Sequence, residues 1–236
     1  MKVTLVRHAT LLLDTPGGRV LVDPMLDDAE ARPPIENTPN PVRNPLVPLP
    51  WPTIEVVAGV DGVVVTHLHA DHFDDTAASL LRQDVPMLTQ PASVQALRDR
   101  GFAGATDDAD GWLGMSIVRT AGRHGTGDLG DMLGPVSGFV LDGVYVAGDT
   151  IWCDEVADVL ARNRPRTVIV NGGGARFVEG DPIVMTADDV RAVRAATDAT
   201  VVVVHLESIN HCLERRDAYR AIDGVVVPDD GETLEL

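Results

Sequence analysis

The stretch GVVVTHLHADHFDD, residues 62–75, gathers three imidazoles and a carboxylate, His67, His69, Asp71 and His72, just beyond a run of valines. Imidazole nitrogen and ionised carboxylate oxygen are the donors that Zn²⁺, Mn²⁺ and iron accept, and the end of a buried strand is a rigid mount for them. If the chain stays extended through His67 and His69, the two-residue period of a strand turns both side chains to one face. A tight turn then returns Asp71 and His72 toward that face, ahead of a helix capped by Asp74 or Asp75. A lone histidine is more often a core or surface residue. The chain has only seven histidines, and three packed this closely point to a cation site.

More ligand-type residues follow strands further along: His124 in RTAGRHGTG, Asp149 in VYVAGDT and His205 in TVVVVHLE. Taken singly, His124 reads as a solvated loop residue, Asp149 as a helix cap and His205 as a core histidine. Taken together with the HxHxDH spacing, they resemble the metallo-β-lactamase superfamily in order and context over most of the chain. The resemblance implies an α/β (α+β) architecture, a four-layer αββα arrangement of two packed mixed sheets flanked by helices. It also implies two divalent ions, Zn or Mn with iron as a third option. His67, His69 and His124 would hold one ion, Asp71, His72 and His205 the other, and Asp149 would bridge them. By the same resemblance, Asp71 is the candidate catalytic residue, orienting the attacking water or accepting its proton. Two cations about 3.5–4 Å apart generate hydroxide near neutral pH and polarise a substrate oxygen.

Three cues resemble the L-ascorbate-6-phosphate lactonase-like branch of that superfamily: RHATLLLDTPGGRVLVDP, GDTIWCDEV and NGGGARFVEGDPIVMTADDV. Four further residues are candidate substrate contacts or supports of the ligands. His8 either points into the site or is a hydrogen-bonded core residue. Asn171 and Arg176 bracket the NGGGAR run, where glycines let backbone approach a ligand and a guanidinium can hold a carboxylate or phosphate, unless the run is a plain strand-end turn. A short helix over HLESINHC would set His211 about one and a half turns beyond His205.

The remaining sequence supplies the elements that must position these residues. Valine-rich runs punctuated by Gly, Pro and Asp predict strands at VTLV, GRVLVD, GVVVTH, MSIVRT, SGFVL, VYVAGD, RTVIVN, TVVVVH and GVVVP. Helices are expected after Asp74 or Asp75, from Pro91 to a stop at Gly101, over DEVADVLARN before Pro165, and after the Thr186–Asp189 capping box. Asp142-Gly143 signals a two-residue hairpin. Residues 32–52 hold eight of the 16 prolines and read as a long loop, either a passive connection or a lid with Trp51 at its edge.

Composition bounds the function classes. The 236 residues, 44% of them hydrophobic, suit one sizeable domain. No stretch reaches the ~18 consecutive apolar residues of a membrane span, and MKVTLVRHAT lacks the pattern of a signal peptide, so a cytoplasmic location is expected. A net charge of -17, with Lys2 the only lysine, disfavours nucleic acid and anionic membranes as partners. Cys153 and Cys212 form no metal-binding pattern and read as small buried residues. A small-molecule substrate is expected, with the oligomeric state open. Hydrolysis of an ester, lactone or related carbonyl compound is the leading reading. A small-molecule phosphodiesterase and a metal-binding sensor without turnover are the alternatives.

Overall fold

The computed structural model describes every residue from Met1 to Leu236. The first half of the chain runs β1 (Lys2–Arg7), β2 (Thr10–Thr15), β3 (Gly18–Val22), α1 (Thr53–Val57), β4 (Gly62–Val65), α2 (Asp75–Leu80), β5 (Met87–Thr89), α3 (Pro91–Asp99) and β6 (Ala105–Thr106). The second half runs β7 (Ile117–Ala121), α4 (Gly127–Leu133), β8 (Ser137–Leu141), β9 (Val144–Val146), α5 (Asp154–Asn163), β10 (Thr167–Asn171), α6 (Ala187–Ala196), β11 (Thr200–Val204), α7 (Arg216–Arg220), β12 (Val225–Val226) and β13 (Thr233–Glu235). A 3-10 turn at Trp112–Gly114 joins the halves.

Seven strands form one sheet in the order β13-β1-β2-β3-β4-β5-β6, and six form the other, β12-β11-β10-β9-β8-β7. Both sheets are mixed. β3 to β6 are parallel in the first and β9 to β12 in the second, whereas the hairpins β1-β2-β3 and β7-β8-β9 are antiparallel.

Strand alternation explains how two sheets make four layers. In β4, Val64 belongs to a core of 17 residues shared by both sheets, together with Leu5, Leu13, Phe139, Ile169 and Val202. Its neighbours Val63 and Val65 face outward, into a second core with Val56 of α1, Ala77 of α2 and Leu97 of α3. In β11, Val201 and Val203 likewise turn outward against α5 (Val156, Leu160), α6 (Val190, Val193) and Tyr219 of α7. Each fully buried valine or leucine adds about 1.5–3 kcal/mol of hydrophobic stabilisation. The result is helix, sheet, sheet, helix, as the resemblance implied.

Local signals account for the helix ends. Asp74, not Asp75, caps α2, its Oδ1 accepting Ala77 N at 2.7 Å. Thr186 and Asp189 form the expected reciprocal capping box of α6. Asp142 and Gly143 lie between β8 and β9 at φ 46° and 83°, as a hairpin turn with two positive φ angles requires.

The proline-rich segment is a pinned wall. Arg7, fully buried, donates to Val47 O at 2.9 Å, and Leu46 N donates to Ser208 O at 2.8 Å. Asn210, also fully buried, donates to Ile35 O, Thr38 Oγ1 and Asn40 O, and accepts from Ile35 N and Asn44 Nδ2. One amide side chain thus ties four loop residues to the segment that follows β11.

Candidate metal centre

The ligand candidates lie beyond the carboxyl ends of the parallel strands, where open α/β sheets leave a crevice. His67, His69, Asp71 and His72 follow β4, Asp149 follows β9 and His205 follows β11. The extended run expected through His67 and His69 ends earlier, at Val65, and residues 66–73 form a compact turn in which His72 N and Phe73 N both donate to His69 O. The two rings still meet, with His67 Nε2 3.0 Å from His69 Nδ1. Gly148 at φ 70° makes the bend into Asp149, and a Cβ there would stand 3.1 Å from Thr66 Cβ, so a larger residue would move both. His205 itself adopts φ 69°, which ends β11 sharply, and its N donates to His8 O at 2.8 Å.

The hydrogen bonds assign the tautomers. Carbonyl and carboxylate oxygens only accept, so each histidine facing one must donate there and leave its other nitrogen as a lone-pair donor. His124 Nδ1 donates to Ile183 O at 2.9 Å, His69 Nε2 to Leu133 O at 3.2 Å, His72 Nδ1 to Asp23 Oδ2 at 2.8 Å, and His205 Nδ1 faces Gly172 O at 3.3 Å. Thr66 Oγ1 gives its proton to Asp23 Oδ2 at 2.7 Å, so it accepts from His67 Nδ1 at 3.0 Å. In their neutral form, the one a cation would bind, five imidazoles therefore aim bare nitrogens inward.

Those nitrogens converge, and among His67, His69 and His124 only Asp149 Oδ2 approaches, 3.9 Å from His67 Nε2 and 3.6 Å from His124 Nε2. His69 Nδ1 is 3.0 Å from His67 Nε2 and 3.3 Å from His124 Nε2, an arrangement of like donors that a cation satisfies. His72 Nε2 and His205 Nε2 are buried and without hydrogen-bond partners. The donor groups fall into His67, His69, His124; His8, Asp71, His72, His205; and His67, His72, Asp149, each with its ligand atoms within 4.8 Å of one another. The residues fit divalent cations. Asp149 lies between the first two groups, its Oδ2 3.6 Å from His124 Nε2 and 3.3 Å from His72 Nε2, its Oδ1 3.4 Å from His205 Nε2.

Burial alone would raise the carboxyls of Asp71 and Asp149, but the surrounding imidazoles override it and hold both well below the usual carboxylate range. Burial likewise opposes charge on His72, yet Asp149, Asp23 and Asp71 push it up to about 10, and His205 is also raised by Asp149. His67, His8 and His124 are lowered, by burial first. Without a cation the site thus keeps protons on His72 and His205 at neutral pH.

Four residues expected as contacts or supports have distinct places. His8, fully buried, sets its Nε2 3.4 Å from Asp71 Oδ2 behind the cluster. Asn171 Nδ2 donates to Asp149 Oδ1 at 2.7 Å and orients that carboxylate. His211 lines the cavity, but no helix carries it there: residues 205–215 are turns and irregular backbone because His205 and Glu207 take left-handed φ angles of 69° and 59°. Arg176 is not a wall of the cavity; its backbone N donates to His211 O at 3.1 Å.

Sequence reasoning missed Asp23, which anchors His72 directly and His67 through Thr66. Its signal was the acidic residue closing the VLVDP run at a strand end. Cys212 also does more than fill space, its Sγ lying 3.5 Å from His205 Nδ1.

A cavity of about 470 Å³ opens onto His69, Asp71, His124 and Asp149. Its far walls are largely apolar, with Ile35 from the pinned loop, Leu133 from α4, and Phe177, Ile183 and Ile209 from loops of the second half. His8, His72 and His205 do not reach it.

Comparison with known proteins agrees with this geometry. The Beta-lactamase superfamily domain matches residues 18–206. UPF0173 protein YddR of Bacillus subtilis is 32% identical, covering 99% of each chain, and a UPF0173 metal-dependent hydrolase of Azorhizobium caulinodans is 28% identical over the whole of both. Among solved structures, an isothiocyanate hydrolase from Delia radicum gut bacteria superposes with a TM-score of 0.91 at 35% identity, covering 100% of this chain and 99% of that one. A possible metal-dependent hydrolase from Veillonella parvula gives 0.93 at 29% identity with the same coverage. Two of these four relatives are described as metal-dependent hydrolases, and none of the four descriptions reaches the finer lactonase-like branch. The chain belongs to the beta-lactamase superfamily, within its UPF0173 group of metal-dependent hydrolases.

Proposed function

We propose that the chain hydrolyses small, neutral electrophiles at a centre for two divalent cations, Zn²⁺ or Mn²⁺ with iron as a third option. His67, His69 and His124 would hold one, Asp71, His72 and His205 the other, with Asp149 shared. The observation that carries this reading is the convergence of five tautomer-fixed imidazoles and two carboxylates, of which His69, His124, Asp71 and Asp149 line the floor of an apolar cavity. Divalent cations in such a setting acidify water and stabilise a developing oxyanion.

The chain's own residues do the rest. Asp71 stands at the cavity and at the second donor group, where its carboxylate can orient the attacking water and take its proton. Asp23 and Asn171 hold His72 and Asp149 in place, and the apolar walls exclude competing water. Attack forms a C–O bond at the electrophilic carbon. In an ester or lactone the bond to the leaving oxygen breaks as that atom takes up the proton. In an isothiocyanate the C=N π pair moves to nitrogen, which takes up the proton before the remaining C–N bond breaks to release amine and carbonyl sulfide. Esters, lactones and isothiocyanates share this demand, and an isothiocyanate hydrolase is among the full-length structural relatives. A small phosphodiester is the second reading, favoured by Arg32 at the cavity wall, whose Nη2 is enclosed without a partner.

Metal-loaded protein assayed on matched esters, lactones, isothiocyanates and phosphodiesters tests the proposal. Turnover on a carbonyl or isothiocyanate substrate, lost on chelation, is expected. Phosphodiester turnover alone would favour the second reading, and metal binding without any turnover would favour a sensor.

A further inference from the structure

All seven histidines of the chain lie in or beside this site, and six of them have a hydrogen-bonding role that the metal centre explains. His211 is the exception. It is only 4% exposed, its ring has no hydrogen-bond partner and its Nδ1 is enclosed, so Nε2 is the ring nitrogen left to face the cavity that the residue lines with Asp71 and Asp149. Enclosing an imidazole nitrogen with no partner costs about 1–3 kcal/mol, so native proteins rarely retain one without a use.

The surroundings hold the ring where it is. Its backbone O accepts from Arg176 N at 3.1 Å, and the preceding residue, Asn210, is bonded to Ile35, Thr38, Asn40 and Asn44. Phe177 sits beside it, ring centroids 6.4 Å apart. The backbone is fixed and the polar edge of the ring is unused.

Resting on the hydrolase reading above, we infer that His211 is the substrate-recognition residue. It forms a hydrogen bond to the oxygen or nitrogen attached to the electrophilic carbon, while the substrate's apolar tail lies on Ile35, Leu68, Leu133, Phe177, Ile183 and Ile209. A neutral imidazole serves either as donor or as acceptor, which suits an uncharged heteroatom. The substrate class is therefore a neutral electrophile with an aryl or branched alkyl tail, in preference to a charged or purely polar one.

The test compares the metal-loaded parent with His211→Phe and His211→Gln on phenethyl and methyl isothiocyanate and on a phenyl-substituted and an unsubstituted lactone. The parent should prefer the larger tail. His211→Phe should lower kcat/KM about 10- to 100-fold with metal content unchanged, and His211→Gln, which retains a polar end, should recover part of the loss. Parent turnover with His211→Phe within twofold of it would overturn the inference and leave the hydrolase reading standing. A metal-loaded parent without turnover on any substrate would overturn both. A measurement on the parent guards against variants that do not fold. Adding phenylacetamide, a neutral hydrolysis-resistant probe, should shift the His211 ring signals in ¹H–¹⁵N spectra, and unmoved signals at saturation would count against the inference.

Discussion

Asn210→Ala should release the wall of the cavity while leaving the metal ligands in place. The side chain makes five hydrogen-bonding contacts, between 2.7 and 3.1 Å long, to Ile35, Thr38, Asn40 and Asn44, the two Nδ2 hydrogens being shared among three acceptors. Ile35 and Asn40 are partly exposed, so their backbone groups turn to water at little cost. Asn44 and Thr38 are buried and lose partners they cannot replace. At roughly 1–1.5 kcal/mol for each of the two enclosed bonds, the loss comes to about 2–3 kcal/mol. Urea unfolding should show it as a lower midpoint with an unchanged slope. Hydrogen exchange should accelerate at the amides of Ile35, which donates to Asn210 Oδ1, and Arg32, which donates to Asn44 O. With any substrate the site turns over, KM should rise more than kcat falls, because Pro33, Pro34 and Ile35 are cavity walls and not part of the donor set. A loss below about 1 kcal/mol with unchanged exchange over residues 31–45 would refute the idea that Asn210 pins the wall.

Three other perturbations separate the parts of the account. Asp71→Asn keeps the shape of the side chain but cannot accept a proton, so steady-state turnover should fall roughly 10²–10⁴-fold with substrate affinity changing less; near-full turnover with both cations bound would mean that another residue handles the proton. His205→Ala should weaken the second cation position and His67→Ala or His69→Ala the first, as read by metal titration, and unchanged occupancy in His205→Ala would remove it from the ligand set. In the metal-free protein, His72 is raised from 6.5 to about 10 and so stabilises the fold fully below pH 6.5, a contribution lost as pH rises toward 10. The melting temperature of metal-free protein should therefore fall over that interval, while the loaded protein, with His72 deprotonated throughout, should not show this fall; parallel curves would contradict the assignment.

Much of the centre is legible in the sequence because its ligands follow strands whose valine alternation is strong. Val63, Val64 and Val65 announce β4, and Val201 to Val204 announce β11, so the residues just beyond them are placed by the pattern alone. What escapes the pattern is set by tertiary packing. β5, three residues long, exists because β4 offers an edge to pair with, β6, two residues long, because β5 does, and β13 because β1 does. The short helices α1, α4 and α7 carry no complete apolar face of their own, and α4 has no buried residue at all. His211 reaches the cavity through left-handed turns at His205 and Glu207 and not through a helix, which no propensity rule anticipates for these residue types. Asp23 and Asn171 act by holding other residues, so their roles emerge only once His72 and Asp149 have positions. The proline-rich segment reads as a loop in sequence, and only the buried Asn210 and Arg7 make it a wall.

The central claim is a hydrolytic centre for two divalent cations, and metal analysis coupled to activity tests it most directly. Protein purified without added ions should contain about two equivalents of divalent metal per chain. Exhaustive chelation should abolish hydrolysis and lower the melting temperature, and adding back Zn²⁺ or Mn²⁺ should restore both as occupancy approaches two. Protein that contains no metal, or that hydrolyses its substrate equally well and melts at the same temperature after chelation, would contradict the account.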